Sequence, residues 1–191
     1  MDYIIVSIIS YLFGSIPFGF ILTKTIVKKD IRDIGSGNIG ATNALRSGNK
    51  LVGYLTLLFD VLKAIIPIVY LKYNYPDLIF ISSLCVFLGH LFPVWLKFKG
   101  GKGVATYLGI IISINLYLAI TFGVIWILVF LFTKYSSLSS ILASATIPIY
   151  VFFIYENNVF FYIIMFVLIF YTHRENIKRL INKEEIKTKI Y

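Results

Sequence analysis

The sequence predicts an all-α integral membrane protein: a bundle of about seven transmembrane helices, N-terminus outside and C-terminus cytoplasmic, forming one polytopic membrane domain over residues 1–191. Three observations predict it: the composition, the recurrence of long apolar runs, and a one-sided distribution of positive charge. Of the residues, 59% are hydrophobic and 17% aromatic, and the mean hydropathy is +0.86, a balance that no water-exposed surface sustains.

A helix needs about 20 apolar residues to cross a hydrocarbon core about 30 Å thick. Such runs recur at 3–23, 51–71, 78–96, 104–133, 141–155 and 158–172. The first follows Met1-Asp2 rather than a basic segment and shows no small-residue cleavage site, so it reads as a retained span. As a single helix the fourth would reach about 45 Å at about 1.5 Å per residue, so a break near Asn115, giving two short passes, fits better.

Charge orients the passes, because Lys and Arg collect on the cytoplasmic side. With seven passes and an outside N-terminus, the basic residues of 24–50, of 97–103, Lys134 and those of the tail all face inward. Only Lys72 lies outside, and only Lys63 within a span. One unbroken helix over 104–133 would put the basic tail on the opposite side from the basic 24–50 loop. The net charge of +9 is split among loops bordered by hydrocarbon, which argues against nucleic acid as a partner and leaves anionic lipid or an anionic substrate. Cys85, the single cysteine, lies inside an apolar run and reads as core packing.

Four polar segments fall on the inner face. The first is GSGNIGATNALR, Gly35 to Arg46, in which glycines let backbone N–H groups converge while Ser36, Asn38, Thr42 and Asn43 add neutral donors. A flexible linker would account for the glycines and serine, but not for two asparagines and a closing arginine. The second is KFKGGKGVAT, where Gly100, Gly101 and Gly103 surround Lys102 directly before a span. A glycine turn feeding a helix N-terminus offers N–H groups and a positive dipole end to a phosphate. It does not satisfy the Walker pattern.

The third, KYSSLSSILAS, is a serine-rich turn whose Ser137, Ser139 and Ser140 either cap the next helix or donate to a bound oxygen. The fourth is THRENIKRL, where His173 and Asn176 share a helix face beside Arg174 and Lys178. Within the membrane, Asp60 and Lys63 are three apart and read as a structural ion pair, and His90 in LGHLFP faces the bundle.

Together GSGNIGATNALR, DVLK, GHLFPVWLKFKGGKGVAT, SSLSS and HRENIKRL, in that order across nearly the whole chain, resemble the bacterial acyl-phosphate:glycerol-3-phosphate acyltransferase (PlsY) family. The resemblance implies a seven-span enzyme of the bacterial inner membrane with its active site at the cytoplasmic face. It would move an acyl group from acyl phosphate to the 1-hydroxyl of sn-glycerol 3-phosphate, giving lysophosphatidic acid and phosphate, the first step of phospholipid synthesis. No cofactor, coenzyme A or metal is implied, and functional coupling to the enzyme that makes acyl phosphate is.

Carried over by motif, the catalytic set is Ser36, Lys102, His173 and Asn176, and the substrate-binding set is Gly37, Asn38, Thr42, Asn43, Arg46, Gly101, Gly103, Ser137 and Ser140. One departure is visible. After HRENIKRL the family has a glycine before a Thr-Glu-Pro-Lys stretch, whereas this chain reads INKEEIK, with Lys183 in the glycine's place and Glu185 outside the assigned set.

Both substrates carry phosphate dianions, which explains a first loop without carboxylates between Gly35 and Arg46. Neither an H-x-x-x-x-D pair nor a G-x-S-x-G elbow occurs. Acyl phosphate is already activated, so positioning and charge stabilisation suffice, and the base is either His173 or an oxygen of the acyl phosphate itself. A membrane transporter of phosphorylated metabolites is the rival reading, weakened by the lack of an internal repeat. The topology is testable in a Cys85→Ala background. Asn49→Cys and a cysteine appended after Tyr191 should react with an impermeant thiol reagent only from the cytoplasm, and Asn74→Cys and Asn157→Cys only from outside. Labelling of Asn49→Cys and the C-terminus from opposite sides would remove the seven-pass arrangement.

Overall fold

A computed structural model describes residues 2–154 and 158–188. Asn157 and the expected end of a span at 155 lie outside the described residues. Among these there is no strand, and the chain falls into two compact units, Met1–Ile114 and Asn115–Tyr191.

In the first unit, α1 (Asp2–Ser15) ends where Pro17 removes a backbone donor, and α2 (Phe18–Leu22) continues through a wider turn, Thr23–Val27, to Lys28. Short α3 (Ala41–Leu45) precedes α4 (Lys50–Asn74), whose first turn is capped by the Asn49 side chain accepting from the Val52 N–H at 3.4 Å. α5 (Ile79–Leu91) and α6 (Val104–Ile114) flank the glycine-rich loop.

α1 packs on α5, and α4 on α6. Both contacts use small residues. A Cβ on Gly14 would collide with the Val86 backbone, one on Gly89 with the Tyr11 carbonyl, and one on Gly109 with the Val61 carbonyl. Close backbone approach of this kind drives helix association where lipid removes the hydrophobic incentive. The Ser10 and Ser82 hydroxyls, 2.7 Å apart and buried, add a polar tie between α1 and α5.

The second unit opens with the expected break. The Asn115 side chain accepts from the Tyr117 N–H at 2.9 Å and so caps α7 (Leu116–Thr133). α8 (Ser136–Phe153), α9 (Val159–Thr172) and α10 (Arg174–Ile181) follow, α8 packing on both α7 and α9. The serine-rich segment is not a turn, because α8 already begins at Ser136. The hydroxyls of Ser139 and Ser140 bond back to the carbonyls of Tyr135 and Ser136, and the N-cap, Tyr135, makes no side-chain cap. Serine satisfies itself inside a helix by this i−4 bond, which periodicity alone does not reveal.

Among the described residues, five helical stretches are long and apolar enough to cross a membrane: Tyr3–Val27, Lys50–Asn74, Pro76–Leu96, Leu116–Thr133 and Ser136–Phe153. α6 and α9 are apolar but shorter, at 11 and 14 residues. Because Gly14 meets the Val86 backbone rather than a movable side chain, Gly14→Ala should cost about 1–3 kcal/mol, as overpacking typically does. Thermal unfolding in detergent checks this, and an unchanged midpoint would contradict the close α1–α5 contact.

Candidate active site

In the first unit the GSGNIGATN loop is stitched around one amide. Asn43, 2% exposed, donates through Nδ2 to the carbonyls of Ile31 (3.1 Å), Ile34 (2.8 Å) and Asn38 (2.9 Å), and its Oδ1 accepts from the Ser36 N–H at 2.9 Å. Asn38 Oδ1 accepts from the Gly40 N–H at 2.8 Å, setting the turn into α3. Gly35 and Gly37 have φ of +52° and +70°, and a Cβ on Gly35 would meet Asn43 Oδ1 and the Arg46 side chain. Asn43 thus holds the loop from inside, and Arg46 lies against Gly35. The Ser36 side chain is exposed, with no protein hydrogen bond to its hydroxyl among the described residues. Thr42 is partly buried, one residue into α3.

Beneath the loop lies an apolar floor of Ile31, Ile39, Ala44, Val52 and Leu96, the last from the segment leading into the glycine-rich loop. At the loop's edge Arg32 forks onto Asp30, with Nε and NH2 at 2.9 and 2.6 Å. Hydrogen bonds from the Arg32 side chain and backbone hold the Asp30 carboxyl at about 2, so this acid is already matched by a cation.

The second loop folds back on the end of α5. The N–H groups of Gly100 and Gly101 donate to the carbonyls of Leu91 and His90, both at 3.1 Å, satisfying helix-end acceptors that would otherwise lack partners. Each glycine is required by crowding. A Cβ would strike the His90 and Leu91 carbonyls at Gly100, the His90 ring at Gly101 and the Phe87 ring at Gly103, whose φ is +85°. The amides of Gly100 and Gly101 therefore turn toward α5. What the loop presents to an anion is Lys102, partly buried, and the first-turn N–H groups of α6, which have no intrahelical acceptors.

Under this loop Lys63 Nζ lies 2.7 Å from Asp60 Oδ1, 2.9 Å from His90 Nδ1 and 2.9 Å from the Ile16 carbonyl. The expected intramembrane ion pair is present, extended to a third member, His90.

In the second unit a residue outside the sequence-assigned set is central. Glu185 Oε1 accepts from Ser137 Oγ (2.7 Å) and Asn176 Nδ2 (2.6 Å), and its Oε2 from Arg179 Nε (2.8 Å). Two assigned residues thereby meet on one carboxylate. Lys183 explains how the tail gets there. It has φ +61°, its N–H reaches the Leu180 carbonyl at 3.2 Å and the Glu184 N–H reaches the Arg179 carbonyl at 2.7 Å. This left-handed helix stop turns the chain back along α10, and lysine fills it in glycine's place. The signal in the sequence was Asn182-Lys183 closing an amphipathic helix, obscured by the missing glycine.

His173, 2% exposed, occupies the joint between α9 and α10 and bonds through Nδ1 to the Ile169 carbonyl at 2.8 Å. A carbonyl only accepts, so Nδ1 carries the proton, and in the neutral ring Nε2 is the acceptor. Ser140 Oγ, besides donating to Ser136, accepts from Trp126 Nε1 at 3.0 Å.

Fold and sequence relationships together define an integral membrane acyltransferase. The family model described as glycerol-3-phosphate acyltransferase matches residues 4–183. The glycerol-3-phosphate acyltransferase of Pelagibacter ubique is 67% identical over 192 residues, covering 100% of both chains. Among solved structures, PlsY (YgiH), an integral membrane glycerol 3-phosphate acyltransferase, in its glycerol 3-phosphate form superposes with a TM-score of 0.93 at 36% identity, covering 99% of this chain and 96% of that one. Its lysophosphatidic acid form gives a TM-score of 0.88 at 36% identity, with 98% and 95% covered. The chain belongs to the glycerol-3-phosphate acyltransferase family.

Burial pushes the Glu185 carboxyl up, but hydrogen bonds from Arg179, Asn176 and Ser137, with the Arg179 charge, outweigh it and hold the group below its ordinary value of 4.5. A depressed folded-state value means that the cluster's contribution is complete above 4.5 and is lost as pH falls through the lower folded value. The Thr188 amide, which donates to the Lys134 carbonyl at 2.9 Å, reports tail docking. Its hydrogen-exchange protection, corrected for intrinsic rate, should be full at pH 7, fall in acid below that range, and be lost in Glu185→Gln at every pH. Protection equal in the variant and the parent would show that Glu185 does not hold the tail.

Proposed function

We propose that this protein transfers a fatty acyl group from acyl phosphate to the 1-hydroxyl of sn-glycerol 3-phosphate. The glycerol oxygen bonds to the acyl carbon, the bond from that carbon to the phosphate oxygen breaks, and the hydroxyl proton leaves with the phosphate, giving lysophosphatidic acid and inorganic phosphate. The observation that carries this reading is the family membership, supported by relatives described in glycerol 3-phosphate and lysophosphatidic acid forms. The donor is inferred from chemistry. The loops offer cations and N–H groups suited to a leaving phosphate, and an activated anhydride needs no protein nucleophile.

Lys102 and the first turn of α6 take the leaving phosphate, with Gly101 and Gly103 permitting the close packing that puts them there. Ser36, Arg46, His173 and Asn176 serve glycerol 3-phosphate, with Gly37, Asn38, Thr42 and Asn43 shaping the first loop and Ser137 and Ser140 the start of α8. An oxygen of the acyl phosphate takes the hydroxyl proton, and His173 orients glycerol 3-phosphate. We further propose seven passes in one polytopic domain, N-terminus outside, in a bacterial inner membrane. The chemistry would face the cytoplasm, with functional coupling to the acyl-phosphate-producing enzyme.

The assay is purified protein in detergent with acyl phosphate and glycerol 3-phosphate, following release of phosphate and lysophosphatidic acid. A transporter of phosphorylated metabolites would show no turnover there, because transport needs a sealed compartment. Lys102→Ala should lose at least about tenfold in rate, since a charge-assisted hydrogen bond contributes about 1.5–3 kcal/mol. Wild-type turnover in that variant would exclude Lys102 from the chemistry.

A further inference from the structure

The Asp60–Lys63–His90 cluster lies outside the residues assigned above, and ionic groups at membrane depth are costly enough to call for a reason. All three are at least nine-tenths buried, with exposures of 2%, 3% and 4%. They lie directly under the glycine-rich loop. The His90 carbonyl accepts from the Gly101 N–H at 3.1 Å, and the His90 ring fills the space where a Gly101 side chain would stand. His90 therefore touches Gly101 twice, through main chain and ring, and Gly101 precedes Lys102.

The ring is fixed in turn. Lys63 is a pure donor, so His90 Nδ1, 2.9 Å from Nζ, must accept, and the His90 proton resides on Nε2, the edge facing Gly101. Lys63 is itself held by Asp60 and by the Ile16 carbonyl at the break after α1. A rotation of the ring would sacrifice the Lys63 contact in a place where no water replaces it.

We propose that Asp60, Lys63 and His90 are positioning residues for the phosphate loop: the ion pair locks the His90 ring, and the ring sets the height and direction of Gly101–Gly103, and with them Lys102 and the N-terminus of α6. The proposal rests on the reading of that loop as the phosphate-binding element. It assigns the intramembrane charges to substrate affinity rather than to bundle stability alone.

The test uses His90→Gln, His90→Ala and the double variant Asp60→Asn/Lys63→Met, the last removing both charges together so that neither is stranded. In detergent, with each phosphate-bearing substrate varied in turn, His90→Ala and the double variant should raise the Michaelis constant for one of the two at least about fivefold and leave the other near wild type. His90→Gln, which retains a donor and part of the ring volume, should recover part of that loss. A purely structural role would lower the amount of active enzyme, and so the maximal rate, with both Michaelis constants at wild-type values; that result would overturn the proposal.

Hydrogen exchange at the Gly100 and Gly101 amides gives an activity-independent readout. It should quicken at least about tenfold in His90→Ala, and unchanged protection would equally overturn the proposal. If the wild-type protein shows no acyl transfer, the functional reading fails by itself, and the exchange result still decides whether His90 holds the loop.

Discussion

An ammonium group carried into hydrocarbon must be compensated on every side, and Lys63 is: it pairs with the Asp60 carboxylate and hydrogen-bonds an imidazole nitrogen and a backbone carbonyl. Any vacancy in that set would leave a buried charge underserved, at a cost of several kcal/mol. The first unit is arranged around this requirement. The interruption at Pro17 leaves the Ile16 carbonyl near the helix break for Lys63, α4 brings Asp60 and Lys63 on one face, and α5 delivers His90 at its last turn. The small residues between α1 and α5 follow from the same demand, since helices sharing a charge must lie close.

Each polar segment on these helices is organised by one side chain. The first loop has the Asn43 amide, the second has the end of α5 with the His90 ring, and the tail has the Glu185 carboxylate. In all three, groups that resemble substrate ligands in the sequence are partly spent on building the loop. The amides of Gly100 and Gly101 cap a helix, Asn43 is enclosed, and Ser137 and Asn176 hold the tail. The Ser36 hydroxyl is exposed, and its backbone N–H is the part of it spent on the loop.

Much of this was legible in the chain. Asn115 announced itself because the apolar run around it is too long for one pass and an unbroken helix would put the basic tail on the wrong side, and Asp60 with Lys63 announced an ion pair because three-residue spacing aligns them on one face. The glycines of the second loop were visible, but their reason was not. Crowding against α5 is a tertiary fact, and a glycine required for close packing reads the same as one offering its N–H to a ligand. The serines after Lys134 looked like a turn because serine favours turns locally, whereas in α8 their hydroxyls bond to their own helix. Glu185 went unassigned because the turn that aims it uses lysine in a conformation usually signalled by glycine.

That same conformation recurs, since Lys28, Lys97, Lys134 and Lys183 all have positive φ. A side chain there costs roughly 1–2 kcal/mol relative to ordinary backbone, and a β-branched one more. The consequence concerns how such a chain drifts over generations. At these four corners the tolerated alphabet is glycine, asparagine and a few long unbranched residues, so glycine and lysine, unlike by any general measure of residue similarity, become near neighbours in backbone terms. Exchanging one for the other leaves the helices where they are and alters only the electric potential of the surface that bears them.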